Sequence, residues 1–353
     1  NARNLHINEL GFCNVQSSEN GLSQFIVFNS NEISEISTIY LKDNQYFNQL
    51  RNSFIQADYV IIGPEEFRDA SHDLLEIRRP AVYASLEKIY DEFSAGNSDP
   101  MAVRNFIQWS QERWADPSPN IVLLLGDGGY DYRNINGYSS IIVPTIQVQS
   151  SRSYATDDLL ATIYGNIPEV ALGRYPAKNI QDVSRFIEKI KTIENNPNFG
   201  PWRQKVTLVA DDAARPEPNH GSIATGQSHT INSEQIADLI PLSVNLEKLY
   251  MMEYPEVSDA SAYGVIKPEA SEALFNSLEN GTAIISYIGH GSPFQLAQEK
   301  LLDLSRGDIN QINTGTKLPL WIVGTCSFGW FDDPLNDSFS EELIKADMNC
   351  ASM

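Results

Sequence analysis

The sequence predicts an α/β protein built on a mostly parallel sheet with helices on both faces. Short apolar runs rich in β-branched residues alternate with segments whose apolar residues recur at helical spacing, and this alternation is typical of parallel sheets. Two of the apolar runs break at glycine and are each followed by a chemically capable side chain, His290 in the first and Cys326 in the second. The functional interpretation starts from these two runs.

The composition is that of a globular protein and disfavours one class of partner. Of the 353 residues, 42% are hydrophobic and 20% are charged, and the net charge is −21. Nucleic acids are bound by basic patches, so we do not expect a chain this acidic to bind them. The length is sufficient for two or three domain-sized units.

The first half of the chain changes character near residue 57. Residues 1–56 contain short alternating pieces between Asn- and Ser-rich breaks, which predicts an extended or β-structured segment, or a linker from a preceding domain. The α/β pattern follows. Its predicted elements are the strand Tyr59–Ile62, a helix over Ala81–Ser94, a helix that opens at Asp99-Pro100, and the strand Ile121–Leu125.

A loop-rich stretch, Asp131–Asp158, leads into the second half, where the alternation resumes. We therefore expect one subdomain over 57–150 and a second over 151–353. The predicted elements of the second are the strand Glu169–Leu172, a helix capped by Asn179, the strand Val206–Ala210, the helix Ser233–Leu239, the strand Val244–Tyr250, the helix Pro268–Leu278, the strand before His290, a short helix near Asp308–Ile312, the strand before Cys326, and the helix Ser338–Ala346.

The cysteine count favours one functional thiol. The three cysteines, Cys13, Cys326 and Cys350, have neither the number nor the spacing of a disulfide framework or a zinc site. Three inert buried thiols are the alternative, because cysteine is commonly buried. An aromatic cluster follows Cys326, made up of Phe328, Trp330 and Phe331, and it fits that alternative as well.

The surroundings of His290 favour a catalytic interpretation over an ordinary exposed or core histidine. Gly289 and Gly291 permit a close approach of substrate to the backbone. Side chains just beyond the carboxyl ends of parallel strands face the ligand crevice, so neighbouring strands would bring imidazole and thiol within reach. A neighbouring base raises the thiolate fraction. The backbone N–H groups of Gly291 and Cys326 are the predicted oxyanion donors.

A hydrophobic block ending in His-Gly, followed by a second block ending in a small residue and Cys, resembles the caspase-like cysteine peptidases, and more closely the gingipain family, peptidase family C25. Ile121–Asp127 is similar to the family's strand that ends in Gly-Asp, and Asp157–Pro176 is similar to its stretch that ends in Gly-Arg and an aromatic residue. The resemblance extends from about residue 57 to the end. It implies a caspase-like fold with 57–150 and 151–353 as gingipain-like subdomains, the second catalytic, and a family fold that continues beyond Met353.

The resemblance also implies roles for individual residues. His290 would be the general base, Cys326 the nucleophile, and an acidic residue after an upstream strand would orient the histidine. Asp212 aligns with that acidic residue better than Asp211, although a solvated strand end or a calcium ligand is the other interpretation of the pair. The segment 327–330 departs from the family pattern after the nucleophile, so the resemblance implies no preference for arginine or lysine.

The implied function is a cysteine endopeptidase. Within the family, the similarity is greatest to a surface peptidase that acts as the sortase of the type IX secretion system. This implies cleavage of the C-terminal sorting domains of secreted cargo, transfer to a surface glycolipid, other secretion-system components as partners, and a place on the extracellular face of the outer membrane. Two alternatives stay open: a caspase-like binding scaffold without activity, and a cysteine hydrolase of small amides.

The expected chemistry requires no cofactor, and the other motifs are weaker signals. His220 and His229 lack a spacing that specifies zinc. Gly126-Asp127-Gly128-Gly129 lacks the Lys and Ser/Thr of a phosphate-binding loop and is typical of a strand-end turn. No Gly-x-Ser-x-Gly elbow of a serine hydrolase occurs. Structural calcium, which gingipain-like proteins bind, has five candidate oxygen ligands: Asp131, Asp157, Asp158, Asp332 and Asp333.

Overall fold

The computed structural model describes residues 49–137, 142–149, 153–195, 198–212, 227–260, 264–347 and 350, which belong to a unit spanning Asn44–Met353. The described strands are β1 Tyr59–Gly63, β2 Ala81–Ser85, β3 Ile121–Leu125, β4 Ile146–Gln149, β5 Ser153–Thr156, β6 Ala171–Tyr175, β7 Lys205–Ala210, β8 Asn245–Tyr250, β9 Val257–Asp259, β10 Gly264–Ile266, β11 Ile284–Ile288, β12 Gly291–Ser292, β13 Gln295–Leu296, β14 Leu302–Asp303 and β15 Leu320–Gly324.

The described α-helices are α1 His72–Ile77, α2 Leu86–Phe93, α3 Pro100–Arg113, α4 Asp158–Ala161, α5 Ile180–Asn195, α6 Gln227–Leu239, α7 Pro268–Asn280 and α8 Phe339–Lys345. Their starts follow capping chemistry. The Asp99 carboxylate accepts the Met101 N–H at 2.8 Å, and the Asn179 side chain accepts the Asp182 N–H at 3.0 Å. In the described part of the chain, every helix is too short or too polar to cross a lipid bilayer.

Two four-stranded parallel sheets form the framework. The first has the order β2-β1-β3-β6 and the second the order β15-β11-β7-β8. The antiparallel elements are small: the pairs β4–β5 and β9–β10 and the three-stranded β12-β13-β14 sheet. The predicted, mostly parallel α/β architecture is confirmed.

Helices cover both faces of each sheet because neighbouring strand residues point to opposite sides. In β1, Ile62 packs into the core beneath α2 and α3, whereas Ile61 packs on the opposite face with α5. In the second sheet, Ile285 packs toward α7 and α8, whereas Leu208 packs toward α6. Apolar positions on both faces make these strands continuous hydrophobic runs.

One predicted helix is wrong in its first half. Ala81–Ser85 is strand β2, paired in register with Tyr59–Gly63, and helix α2 begins only at Leu86. Tyr83 and Ala84 are buried on the two faces of the sheet. A short apolar segment can form either structure, and the edge of β1 stabilises the strand here.

The first sheet continues further along the chain than the predicted division at residue 150. Strand β6 hydrogen-bonds to β3, and Val183 and Ile187 of α5 pack with Tyr175 into the core of that sheet. The two sheets therefore divide between Asn195 and Lys205. Of the predicted N-terminal segment, residues 1–48 lie outside the described residues.

Asp127, which follows β3, joins the two sheets. Its carboxylate lies 3.3 Å from the Lys178 ammonium, and Lys178 also pairs with Asp337 just before α8. Glu341 of α8 completes the group. Burial, followed by the charge of Asp127, raises the pKa of Glu341 to about 8. The Gly-Asp turn therefore has a structural role between the sheets.

Candidate active site

Strands β11 and β15 are parallel neighbours, as expected from the sequence. Their last register partners are Ile288 and Gly324, and His290 and Cys326 each lie two residues beyond. The Gly289 N–H donates to the Gly324 carbonyl at 3.2 Å, which holds the two strand ends together. Both functional side chains therefore emerge at the same edge of one sheet.

The two loops are in close contact beyond the strands. A Cβ at Gly291 would lie 2.5 Å from Thr325 Oγ1 and 3.0 Å from Thr325 Cγ2, so a larger residue would push the loops apart. Cys326 is exposed and His290 is half-buried. A glycine at this position thus permits the contact, and the thiol stays accessible to a substrate.

Asp211 lies on the other side of His290. It follows β7, which pairs with β11 on the edge away from β15. Its Oδ2 accepts the His290 N–H at 2.8 Å, and its own N–H donates to the Ile288 carbonyl at 3.0 Å. A carboxylate oxygen of Asp211 lies within 4.8 Å of a His290 ring nitrogen. Thiol, imidazole and carboxylate are thus carried by three adjacent strand ends.

Asp212, the residue favoured from the sequence, has a different principal partner. Its Oδ2 lies 2.6 Å from the ammonium of Lys267, and both side chains are buried. Lys267 also donates to the Met251 carbonyl at 2.8 Å. The geometry favours Asp211 for the orienting carboxylate, because consecutive residues at a strand end point to different sides. The catalytic role itself stays a prediction.

His229 is a site residue that the sequence did not indicate. It lies on α6, and its ring meets the His290 ring edge-on, with centroids 5.1 Å apart and planes at 87°. Its Nδ1 is buried and has no hydrogen-bond partner among the described residues. No local sequence pattern reveals a contact between residues so distant in the chain. His220 lies outside the described residues.

Buried carboxyl groups surround the base of the site. Oxygens of Asp211, Asp212 and Glu299 lie within 4.8 Å of one another. Burial, with a smaller contribution from the charge of Asp212, raises the pKa of Asp211 to about 7. Burial, followed by the charges of both aspartates, raises the pKa of Glu299 to about 8. At neutral pH, Glu299 is therefore mostly uncharged.

The lysine in this buried group is expected to be important for stability. Replacing Lys267 by alanine would leave Asp212 buried without its cation, and we expect the free energy of unfolding to fall by roughly 3–5 kcal/mol. Urea unfolding at pH 7 measures this. The matched control is Lys248→Ala, because the Lys248–Glu234 pair has the similar distance of 2.7 Å but is exposed. In Lys248→Ala, the free energy of unfolding should fall by less than about 1 kcal/mol. Equal losses in the two variants would contradict the assigned role of Lys267.

Glu299 should make the stability depend on pH. Its pKa is raised in the folded state, so between about pH 4.5 and pH 8 the folded chain holds a proton that the unfolded chain has lost. The free energy of unfolding therefore falls as pH rises through this window, by roughly 2–4 kcal/mol from this group. Urea unfolding at pH 5 and pH 8 should show a smaller fall in Glu299→Gln than in the wild type.

The control for this experiment is Glu272→Gln, since Glu272 is an exposed glutamate of α7. The free energy of unfolding of this variant should fall between pH 5 and pH 8 by the same amount as that of the wild type. A Glu299→Gln protein with the wild-type pH dependence would show that Glu299 is ionised in the folded chain.

The five aspartates proposed as calcium ligands do not converge. Asp157 is paired with Arg174 at 2.7 Å, and Asp332 accepts a hydrogen bond from Gln147 at 2.8 Å. Within the described part of the chain, three groups bring three metal-ligating side chains within 4.8 Å, and none of these five aspartates is a member. The calcium expectation therefore remains a prediction without support from these residues.

A cavity of about 370 Å³ lies beside the thiol, lined by β15 and by the loop that carries Cys326 and Phe328. Phe328 is buried and stacks on Phe339 of α8, with ring centroids 5.3 Å apart. This aromatic contact anchors the loop after the nucleophile candidate. Phe328 thus supports the loop while the Cys326 thiol stays exposed.

The fold of two parallel sheets with covering helices matches that of gingipain cysteine proteinases. The pro- and mature-domain complex of RgpB from Porphyromonas gingivalis superposes with a TM-score of 0.58 at 18% identity, over 83% of this chain and 62% of that chain. The Arg-specific cysteine proteinase gingipain R (RgpB) superposes with a TM-score of 0.57 at 18% identity, over 85% of this chain and 61% of that chain. Residues 52–352 match Peptidase family C25, and the chain belongs to that family.

The chain spans about three fifths of the length of these gingipain structures. The dimeric latent PorU from Porphyromonas gingivalis matches 42% of this chain and 16% of its own, at 24% identity and a TM-score of 0.37. No curated protein sequence matches the chain. The predicted family and fold are confirmed.

Proposed function

We propose that this chain carries the catalytic site of a cysteine endopeptidase in which Cys326 is the nucleophile and His290 the general base. The observation that carries the proposal is the pairing of β11 with β15, which brings the two residues to one edge of a sheet in a chain of family C25. The accessibility of Cys326 supports it, because a nucleophile must meet a polypeptide from solvent.

The mechanism follows from these positions. His290 accepts the thiol proton, and the Cys326 sulfur attacks a peptide carbonyl carbon to form a tetrahedral adduct. The backbone N–H groups of Gly291 and Cys326 stabilise its oxyanion. The C–N bond then breaks, the imidazolium gives its proton to the leaving amine, and a thioester remains. Water, deprotonated by His290, hydrolyses the thioester and restores the thiol.

Asp211 acts through His290 in this scheme. Its carboxylate holds the segment of His290 by accepting the backbone N–H, and it lies close enough to the ring to stabilise the imidazolium. We propose Asp211 for the positioning role that the sequence resemblance assigned to Asp212. Asp212, paired with Lys267, fixes the strand end behind it.

The finer function that we propose is transfer as well as hydrolysis. An amine that replaces water at the thioester turns the same acyl-enzyme into a transpeptidase. The sequence resemblance supports the C-terminal sorting domains of secreted cargo as substrates, a surface glycolipid as acceptor, other secretion-system components as partners, and the extracellular face of the outer membrane as the location.

Peptide libraries test the proposal. The wild-type protein should cleave a subset of peptides, and an added amine should yield aminolysis products at the expense of the hydrolysed acid. Cleavage of small amides alone would favour a small-amide hydrolase. The absence of cleavage, together with unlabelled Cys326 after treatment with a peptidyl electrophile, would favour a binding scaffold.

A further inference from the structure

A group of three side chains at the base of the site has the composition of a transition-metal centre. Asp211, His229 and His290 each offer one ligand atom, and these atoms lie within 4.8 Å of one another. They come from the end of β7, from α6 and from the turn after β11. Two imidazole nitrogens and one carboxylate oxygen are a common zinc ligand set.

His229 supports a ligand in this group because its Nδ1 needs a partner. The nitrogen is buried and has no hydrogen-bond partner among the described residues. A buried polar atom without a partner destabilises the folded protein. A metal ion bound at this nitrogen would supply the missing partner.

Carboxyl oxygens around the group also favour a cation. Asp211 is buried beside the carboxyl groups of Asp212 and Glu299, and Lys267 pairs with Asp212 and not with Asp211 in the ion pairs of the described residues. The net charge of −21 attracts cations to the chain as a whole.

We propose that Asp211, His229 and His290 bind a divalent transition metal of the zinc class, and that this ion reversibly switches off the peptidase. The nitrogen ligands select zinc, copper or nickel over calcium or magnesium, which prefer oxygen. Inhibition follows because a coordinated His290 can no longer accept the proton of the Cys326 thiol. The inhibition rests on the proposed function, whereas the binding does not.

Calorimetric titration with zinc chloride tests the binding. The wild type, Cys326→Ala and the matched control His72→Gln should each bind one equivalent, since His72 is exposed and lies on α1. His229→Gln should bind at least about tenfold more weakly, because even supporting residues of metal sites contribute that much. Equal binding by His229→Gln and His72→Gln would overturn the proposal, as would binding lost only in Cys326→Ala.

X-ray absorption at the zinc edge provides a test on the wild type that needs no variant. The spectrum should show two imidazoles and at least one oxygen ligand. A spectrum with fewer than two imidazoles would overturn the site.

Peptide cleavage tests the switch separately. Zinc should inhibit the wild type, a chelator should restore the rate, and His229→Gln should need at least about tenfold more zinc for half-inhibition relative to its own metal-free rate. Inhibition at the same zinc concentration in both proteins would contradict the switch. If the metal-free wild type cleaves no peptide, the proposed function fails, and the titration still decides the metal site.

Discussion

Replacing Cys326 by alanine is expected to abolish peptide cleavage and leave the fold intact. The variant lacks the atom that forms the thioester, so kcat/KM should fall by roughly 10⁴-fold or more, as it does when nucleophiles of acyl-transfer enzymes are removed. The side chain is exposed, so its loss should change the free energy of unfolding by less than about 0.5 kcal/mol. Steady-state kinetics on a library-derived peptide and urea unfolding measure the two quantities.

The matched control is Cys350→Ala, which removes the other described free thiol. Cys350 is buried in the core between the second sheet and its helices, so this variant should lose about 1–2 kcal/mol of stability and keep its cleavage rate. A Cys326→Ala protein that cleaves at the wild-type rate would remove the thiol from the mechanism.

Replacing His290 by glutamine is expected to lower kcat by about 10²- to 10⁴-fold, the usual contribution of a general acid–base group. The thiol remains in this variant, but the imidazole that accepts its proton and protonates the leaving amine is gone. Kinetics over a range of pH should then show that kcat rises strongly in alkaline solution, where hydroxide can deprotonate the thiol.

His72→Gln is the control for a lost histidine, since His72 is exposed at the start of α1. It should keep the wild-type rate and pH profile. If His290→Gln keeps the wild-type pH profile with a normal rate, His290 is not the base, and His229, whose ring contacts that of His290, becomes the next candidate.

The sequence predicts the chemistry-bearing strands well because their signals are local. Ile284–Ile288 and Leu320–Gly324 are apolar runs that end at glycine, and both are parallel strands with their functional residues just beyond. The resemblance to the gingipain family, read from these same runs, is confirmed by the family match. Local hydrophobicity, together with the glycine that ends each run, is enough to predict such strands.

The sequence fails where the outcome depends on distant partners. Ala81–Ser85 is a strand because β1 offers it a pairing edge. The choice between Asp211 and Asp212 depends on which of two consecutive side chains turns toward His290, and neither composition nor spacing encodes this. His229 reaches the site through the packing of α6 on the second sheet, a contact that appears only in three dimensions.

Covalent labelling tests the cooperation of Cys326 and His290 most directly. The protein is treated with a limiting amount of a peptidyl electrophile, and mass spectrometry of its peptides locates the adduct and times its formation. We predict an adduct at Cys326, with Cys13 and Cys350 unmodified, and labelling slowed at least about tenfold in His290→Gln but not in His72→Gln. Equal labelling of the three cysteines, or a rate at Cys326 that does not change when His290 is replaced, would contradict a catalytic pair at this edge of the sheet.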